Sequence, residues 1–224
     1  MLDSTRAEAI FTDIRVQWDY AEADVKLAEQ TCGKIVTPAI KELRYAGRRL
    51  VDALNEAYGT GDEAAITALL EDARFNCHCA RHDAVDAAVG KMAADLEIMI
   101  NKLGYEAVLK AYPEFPEFFS SLRDTQEKIA RSRRDRANRQ AIYESIENAD
   151  LPQLVAGFGR VRTCEPIMKE FATKAKLVRW GSVAGFAIAF ATLALDFFGV
   201  IEVGPTKSAN EGQVEISSEA VRDQ

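Results

Sequence analysis

Histidine is scarce in this chain of 224 residues, with two copies, and so are cysteine with four, proline with six and aromatics at 8%. All four cysteines (Cys32, Cys77, Cys79 and Cys164) lie on the side expected to face the reducing cytoplasm, which argues against disulfides. Six prolines leave room for long uninterrupted helices. Excess positive charge is also missing. The net charge is -7, and residues 1–179 carry about 26 basic and about 29 acidic side chains. A nearly balanced domain argues against nucleic acid as a partner.

Catalytic signatures are absent too. There is no P-loop, no GxGxxG after a strand, no GxSxG, no HExxH and no DxDxDG loop. Alternating strand patterns, internal repeats and low-complexity runs are not found. The first residues, MLDSTRAEAIFTDIRVQ, lack a basic region followed by an apolar one, so no signal peptide is expected.

One long apolar run is present. Trp180 to Ile201 reads WGSVAGFAIAFATLALDFFGVI, with Asp196 as its single charge. A helix of about 22 residues is about 33 Å long, enough to cross a hydrocarbon core of about 30 Å. Lys169, Lys174, Lys176 and Arg179 precede it, and Lys207 alone follows closely. The positive-inside rule then places the N-terminus in the cytoplasm and the C-terminus outside, as a single-pass protein of the cell (inner) membrane. The expected organisation is a cytosolic helical bundle at 1–179, a transmembrane helix at 180–201 and a short, mobile, non-cytoplasmic tail at 202–224. Within the run, Gly181, Gly185, Ala189, Thr192 and Asp196 share one face. Small residues at this spacing let helices approach closely in lipid, which predicts a homo-oligomer.

The rest reads as helix after helix, giving an all-α fold. Ser4 or Thr5 caps a first helix to about Gln30. Pro38 opens a second, with Ile40, Leu43, Leu50 and Leu54 expected to face inward and Gly47 to admit a neighbour. Asp62 or the residues after it restart a third, running to Leu103. Its main stripe is Ile66, Leu70, Ala73, Cys77, Ala80, Ala84, Ala88, Met92, Leu96 and Met99/Ile100. A second stripe carries Phe75, His78, Cys79, His82, Val85 and Val89. A helix apolar on two faces belongs inside a bundle. A short helix at 105–111, a long one over 117–148, one from Leu151 and a last one from Glu165-Pro166 complete the expected bundle.

Two clusters carry candidate chemistry. Both histidines and two of the cysteines lie in Cys77-His78-Cys79-Ala80-Arg81-His82. On a helix His78 and His82 share a face bordered by Cys79, which could offer three ligands to zinc. The plain alternative is that they pack along the second stripe, and no cofactor is then needed. Arg74 stands one turn before His78, which invites comparison with HEPN-type ribonucleases. Their Arg and His are usually separated by four to six residues; three separate Arg74 from His78 and seven separate it from His82, so the pattern is missed both ways. The second cluster is Arg131, Arg133, Arg134, Arg136 and Arg139, a phosphate-binding candidate. Interleaved acids and the lack of aromatics favour a solvated or subunit-facing helix face instead.

These features point to a non-enzymatic, self-associating membrane protein. Its cytosolic domain would sense an unknown protein or small ligand, as in a pore-type bacterial defence effector. A passive anchor recruiting a cytosolic partner is the alternative, and a HEPN-like or metal-dependent hydrolase is a third.

Overall fold

The computed structural model describes residues 4–197, with side-chain surroundings for 8–178 and 187–193. Every described element is helical. They are α1 (Ser4–Cys32), α2 (Thr37–Tyr58), α3 (Glu63–Leu103), α4 (Tyr105–Ala111), α5 (Phe115–Arg134), α6 (Arg139–Ser145), a π-helical turn (Ile146–Asp150) and α7 (Leu151–Phe197). The chain divides into two compact units, Met1–Ala175 and Lys176–Gln224.

In the first unit α3 is the central helix. Its 41 residues start where Asp62 accepts a hydrogen bond from the Ala64 amide at 3.0 Å. They stop at Gly104, whose φ of 86° lies in the left-handed region that Cβ disfavours. The main stripe is buried from Ile66 to Leu96, as expected, while Met99 and Ile100 at its end are only partly buried. On the second stripe His82, Val85 and Val89 are buried, but Phe75 is 65% exposed. Phe75 therefore departs from the expected packing: it lies on the turn before the buried polar residues begin.

Helices α1 and α2 each pack chiefly on α3 and touch one another little. The face that α2 buries differs from the expected one. Ala39, Leu43, Ala46 and Ala53 are buried, while Ile40 and Leu54 are exposed. Alanines let the α2 backbone come close to the Ala-rich face of α3, and that proximity outweighs the burial of two larger side chains. Gly47 meets the Trp18 ring of α1 at ordinary contact, its notional Cβ lying 3.5 Å from Cη2.

The expected single helix over 117–148 is instead broken. Helix α5 ends at Arg134, and α6 starts at Arg139. Between them Asp135 accepts from the Asn138 amide at 3.3 Å and from its side chain at 2.9 Å. Such local side-chain bonds compete with the helical ladder. Downstream, Pro166 does not start a helix; it lies inside α7. The ring removes one backbone donor, and its exposed position leaves the freed carbonyl of Arg162 near solvent.

Among the described residues no helix is long and apolar enough to cross a membrane. The expected span at 180–201 lies partly outside them, as does all of the tail at 202–224. In the second unit, residues 187–193 are helical and each is exposed.

Candidate functional site: a polar seam inside the bundle

Helix α3 turns His78, Arg81 and His82 toward α1 and toward the α6–π-turn segment, where buried charge is unusual. Arg81 is 8% exposed. Its Nε donates to Asp24 at 3.3 Å and one terminal nitrogen to Gln17 at 2.9 Å, both on α1. The other terminal nitrogen donates to Glu147 on the π-helical turn. The guanidinium also lies over the Tyr20 ring, 5.2 Å from its centroid. One side chain thus ties three segments together through three hydrogen bonds, a geometry that suits the planar five-donor guanidinium.

The two carboxylates differ from ordinary surface acids. Burial raises the Glu147 carboxyl to about 7, although Arg81 opposes the shift, and Asp24 adds to it. Burial also raises Asp24 against the pull of Arg81. A lone guanidinium cannot fully compensate two desolvated carboxylates.

Beside this centre His82 stacks on Tyr143 of α6, centroids 3.8 Å apart. The Tyr143 hydroxyl donates to Asp86 at 2.7 Å, and Arg133 donates to the other Asp86 oxygen at 2.9 Å. Arg139 lies over the same Tyr143 ring, 5.7 Å from its centroid. Burial, helped by Arg139 and His78, lowers His82 to about 3, so its imidazole is neutral at physiological pH. His78 is lowered as well, by burial and then by Arg81 and Arg74. Five buried atoms along the seam lack a hydrogen-bond partner: His78 Nδ1, both His82 ring nitrogens, Arg139 Nε and Glu147 Oε1. Buried polar atoms of this kind mark water sites, strain or function.

Of the three expected zinc ligands, His78 and His82 face the seam, and Cys79 borders it. Cys79 lies near Glu42, Asp83 and Arg139, and its thiol is pushed up to about 11 by burial. His78 lies toward Asp13 and Glu144. Among the described residues no group of three or more His, Cys, Asp or Glu side chains is placed to hold a metal ion. Arg74, weighed above as a nuclease arginine, is half exposed and pairs with Glu71 at 2.6 Å and Asp13 at 3.5 Å.

The arginine run is divided by the break after α5. Arg131, Arg133 and Arg134 sit in the last turn of α5, Arg136 in the link and Arg139 at the start of α6. Arg133 is committed to Asp86 and Arg139 to the seam, while Arg131 and Arg134 line a surface hollow with Asp124 and Glu127. Of the proposed self-association face, Ala189 and Thr192 are exposed, and the Thr192 hydroxyl bonds the Ile188 and Ala189 carbonyls of its own helix at 3.1 and 2.9 Å. The surroundings of Gly181, Gly185 and Asp196 lie outside the described residues.

A larger cleft of about 720 Å³ opens where the α1–α2 link faces α3, lined by Cys32, Lys34, Asp83, Asp86 and Lys91 among others. Asp86 belongs to both cleft and seam. Burial raises the Cys32 thiol, and its Sγ lies 3.5 Å from the Ala87 carbonyl, so it is not an activated nucleophile.

Sequence reasoning located His78 and His82 but not Arg81, Asp24, Tyr143 or Glu147. The signal was an arginine and a histidine interrupting a buried stripe of α3, since such a position demands a partner. Comparisons with protein-family models, with curated proteins and with solved structures find nothing that matches this chain.

Proposed function

We propose that this protein is a single-pass membrane protein whose N-terminal helical bundle is a sensing or interaction domain, and whose apolar helix over 180–201 self-associates in the bilayer. The supporting observation is the surface of residues 187–193. Every side chain there is exposed, including Ile188 at 66%, Phe190 at 72% and Leu193 at 71%. Holding that surface in water costs about 25 cal/mol for each Å² of apolar area. A bilayer removes the cost. Thr192, the polar side chain in this stretch, satisfies its hydroxyl within its own helix, as lipid requires.

The bundle supplies the interaction surface. Ile40, Val51, Leu54 and Tyr58 line one exposed edge of α2, and Phe11 and Val16 are exposed on α1. In this reading the bundle meets a cytosolic protein or small ligand, and clustered spans disturb the membrane. The nearest alternative, a passive anchor, shares the span and lacks the assembly. No catalytic step enters either reading.

Membrane preparations containing the full chain test the proposal. Carbonate and high-salt washes should leave it in the pellet; release by either wash removes the span. In detergent the wild type should run as a defined oligomer that Gly185→Leu or Asp196→Ala reduces. A monomeric wild type that does not depolarise cells leaves only the anchor.

A further inference from the structure

Arg81 sits where three chain segments meet, and the way its partners are distributed has a mechanical meaning. Its bonds to Gln17 and Asp24 reach α1, and its bond to Glu147 reaches the π-helical turn between α6 and α7. Helix α1 packs along α3 through Ile14, Ala21, Val25 and Ala28 among others, and has little contact with α2. Within that interface the Arg81 centre is the point that ties α1 to the π-helical turn as well as to α3. The π turn is an irregular stretch of helix, a form found mostly as short bulges at functional sites. It carries the Glu147 carboxyl into the seam with one oxygen on Arg81 and the other unpartnered.

Arg81 brings one positive charge. Asp24 and Glu147 bring up to two negative charges, at side-chain exposures of 18% and 6%. With one carboxyl protonated the centre is neutral. With both ionised it holds an uncompensated buried charge, the arrangement that folded interiors tolerate least.

We propose that the Arg81 centre is a charge-sensitive latch, which clamps α1 and the π-helical turn onto α3 when one of its two carboxyls is protonated and lets α1 loosen when both are ionised. The surroundings support this polarity. Helix α1 presents Asp24 to the centre, and α6 presents Glu144 one turn before Glu147, so both add negative charge. The π turn's other acid, Asp150, already holds Lys128 of α5 at 2.6 Å. His78 of α3 is lowered by burial and by Arg81 and Arg74, against the pull of Asp13 and Glu144. Arg81 is thus the cation that the buried Glu147 carboxyl meets. Because burial holds that carboxyl near 7, the transition falls in the physiological range. The latch belongs to the first unit and stands whether or not 180–201 enters a membrane.

Tryptophan fluorescence tests it. The chain has two tryptophans. In full-length Trp180→Phe protein in detergent, Trp18 reports on α1, where its ring meets Gly47. Raising the pH from 5.5 to 8.5 should shift Trp18 emission to longer wavelength, with a midpoint near 7. Glu147→Gln, and separately Asp24→Asn, should hold the low-pH emission throughout, because neither centre can gain the second negative charge. Far-UV circular dichroism checks that each variant is folded, and if one is not, the other decides. A flat wild-type profile, or a transition that persists in a folded variant, overturns the latch.

Discussion

The His82 imidazole lies against the Tyr143 phenol ring, with centroids 3.8 Å apart and planes 22° apart. One residue is on α3 and the other on α6, so the stack joins the central helix to a seven-residue helix. The Tyr143 hydroxyl extends the link to Asp86, back on α3. Ring and hydroxyl therefore fasten the same two elements by different physics, and substitutions can separate them.

Tyr143→Phe keeps the stack and removes the bond to Asp86. A hydrogen bond to a charged acceptor is worth about 1.5–3 kcal/mol, and Arg133 remains to hold the other Asp86 oxygen. The expected loss is about 1–2 kcal/mol in chemical denaturation of the full chain in detergent, with the fold retained. Stability equal to wild type would mean that the hydroxyl contributes nothing to the seam.

Two glycines of α7 should respond in opposite directions. A Cβ at Gly157 would lie 2.5 Å from Phe118 Cδ2, whereas nothing lies within 4 Å of a Cβ at Gly159. Phe118 is buried and cannot simply swing away. Gly157→Ala should cost about 1–3 kcal/mol through overpacking. Gly159→Ala should stabilise by about 0.5–1 kcal/mol through helix propensity. A thermal melt of the two variants beside wild type reads the difference. Equal shifts would contradict the close approach of α7 to α5.

Acid should weaken the bundle through His82. Its folded value of about 3 lies below the ordinary 6.5, so the unfolded chain binds the proton more readily. The contribution is intact above about pH 6.5 and is lost progressively as pH falls toward 3. His82→Phe preserves an aromatic partner for Tyr143 and removes the titration. Relative to its own stability at pH 7.5, the variant should lose less than wild type at pH 4.5 in urea unfolding. His78, lowered in the same direction, leaves part of the sensitivity in place. Parallel losses in wild type and variant would show that His82 is free to take up a proton in the folded bundle.

Much of the fold could be read in one dimension because local physics sets it. The stop at Gly104, the cap at Asp62 and the nine-residue stripe from Ile66 to Leu96 need only the chain's own periodicity and end chemistry. The same holds for the proline in the first turn of α2 and for the limits of α4. The break between Arg134 and Arg139 escaped, because a run of good helix formers conceals the bond that the Asn138 amide donates to Asp135. Burial of Ala39 and Ala46 over Ile40 and Leu54 escaped as well. Hydrophobicity ranks side chains by size, and close helix contact rewards their absence.

The sequence by itself determined that the described chain is helical, where its long central helix begins and ends, and that its apolar run lies near the C-terminal end. Tertiary structure decided which polar residues meet. Arg81 and Glu147 are separated by 66 positions, and Arg81 and Gln17 by 64. No periodicity along one helix encodes a pairing between two helices, because it depends on the rotation of each about its own axis. That rotation is set by how alanines and larger side chains fill the space between them. A buried arginine in the sequence announces only that a partner must exist; packing chose Asp24, Gln17 and Glu147.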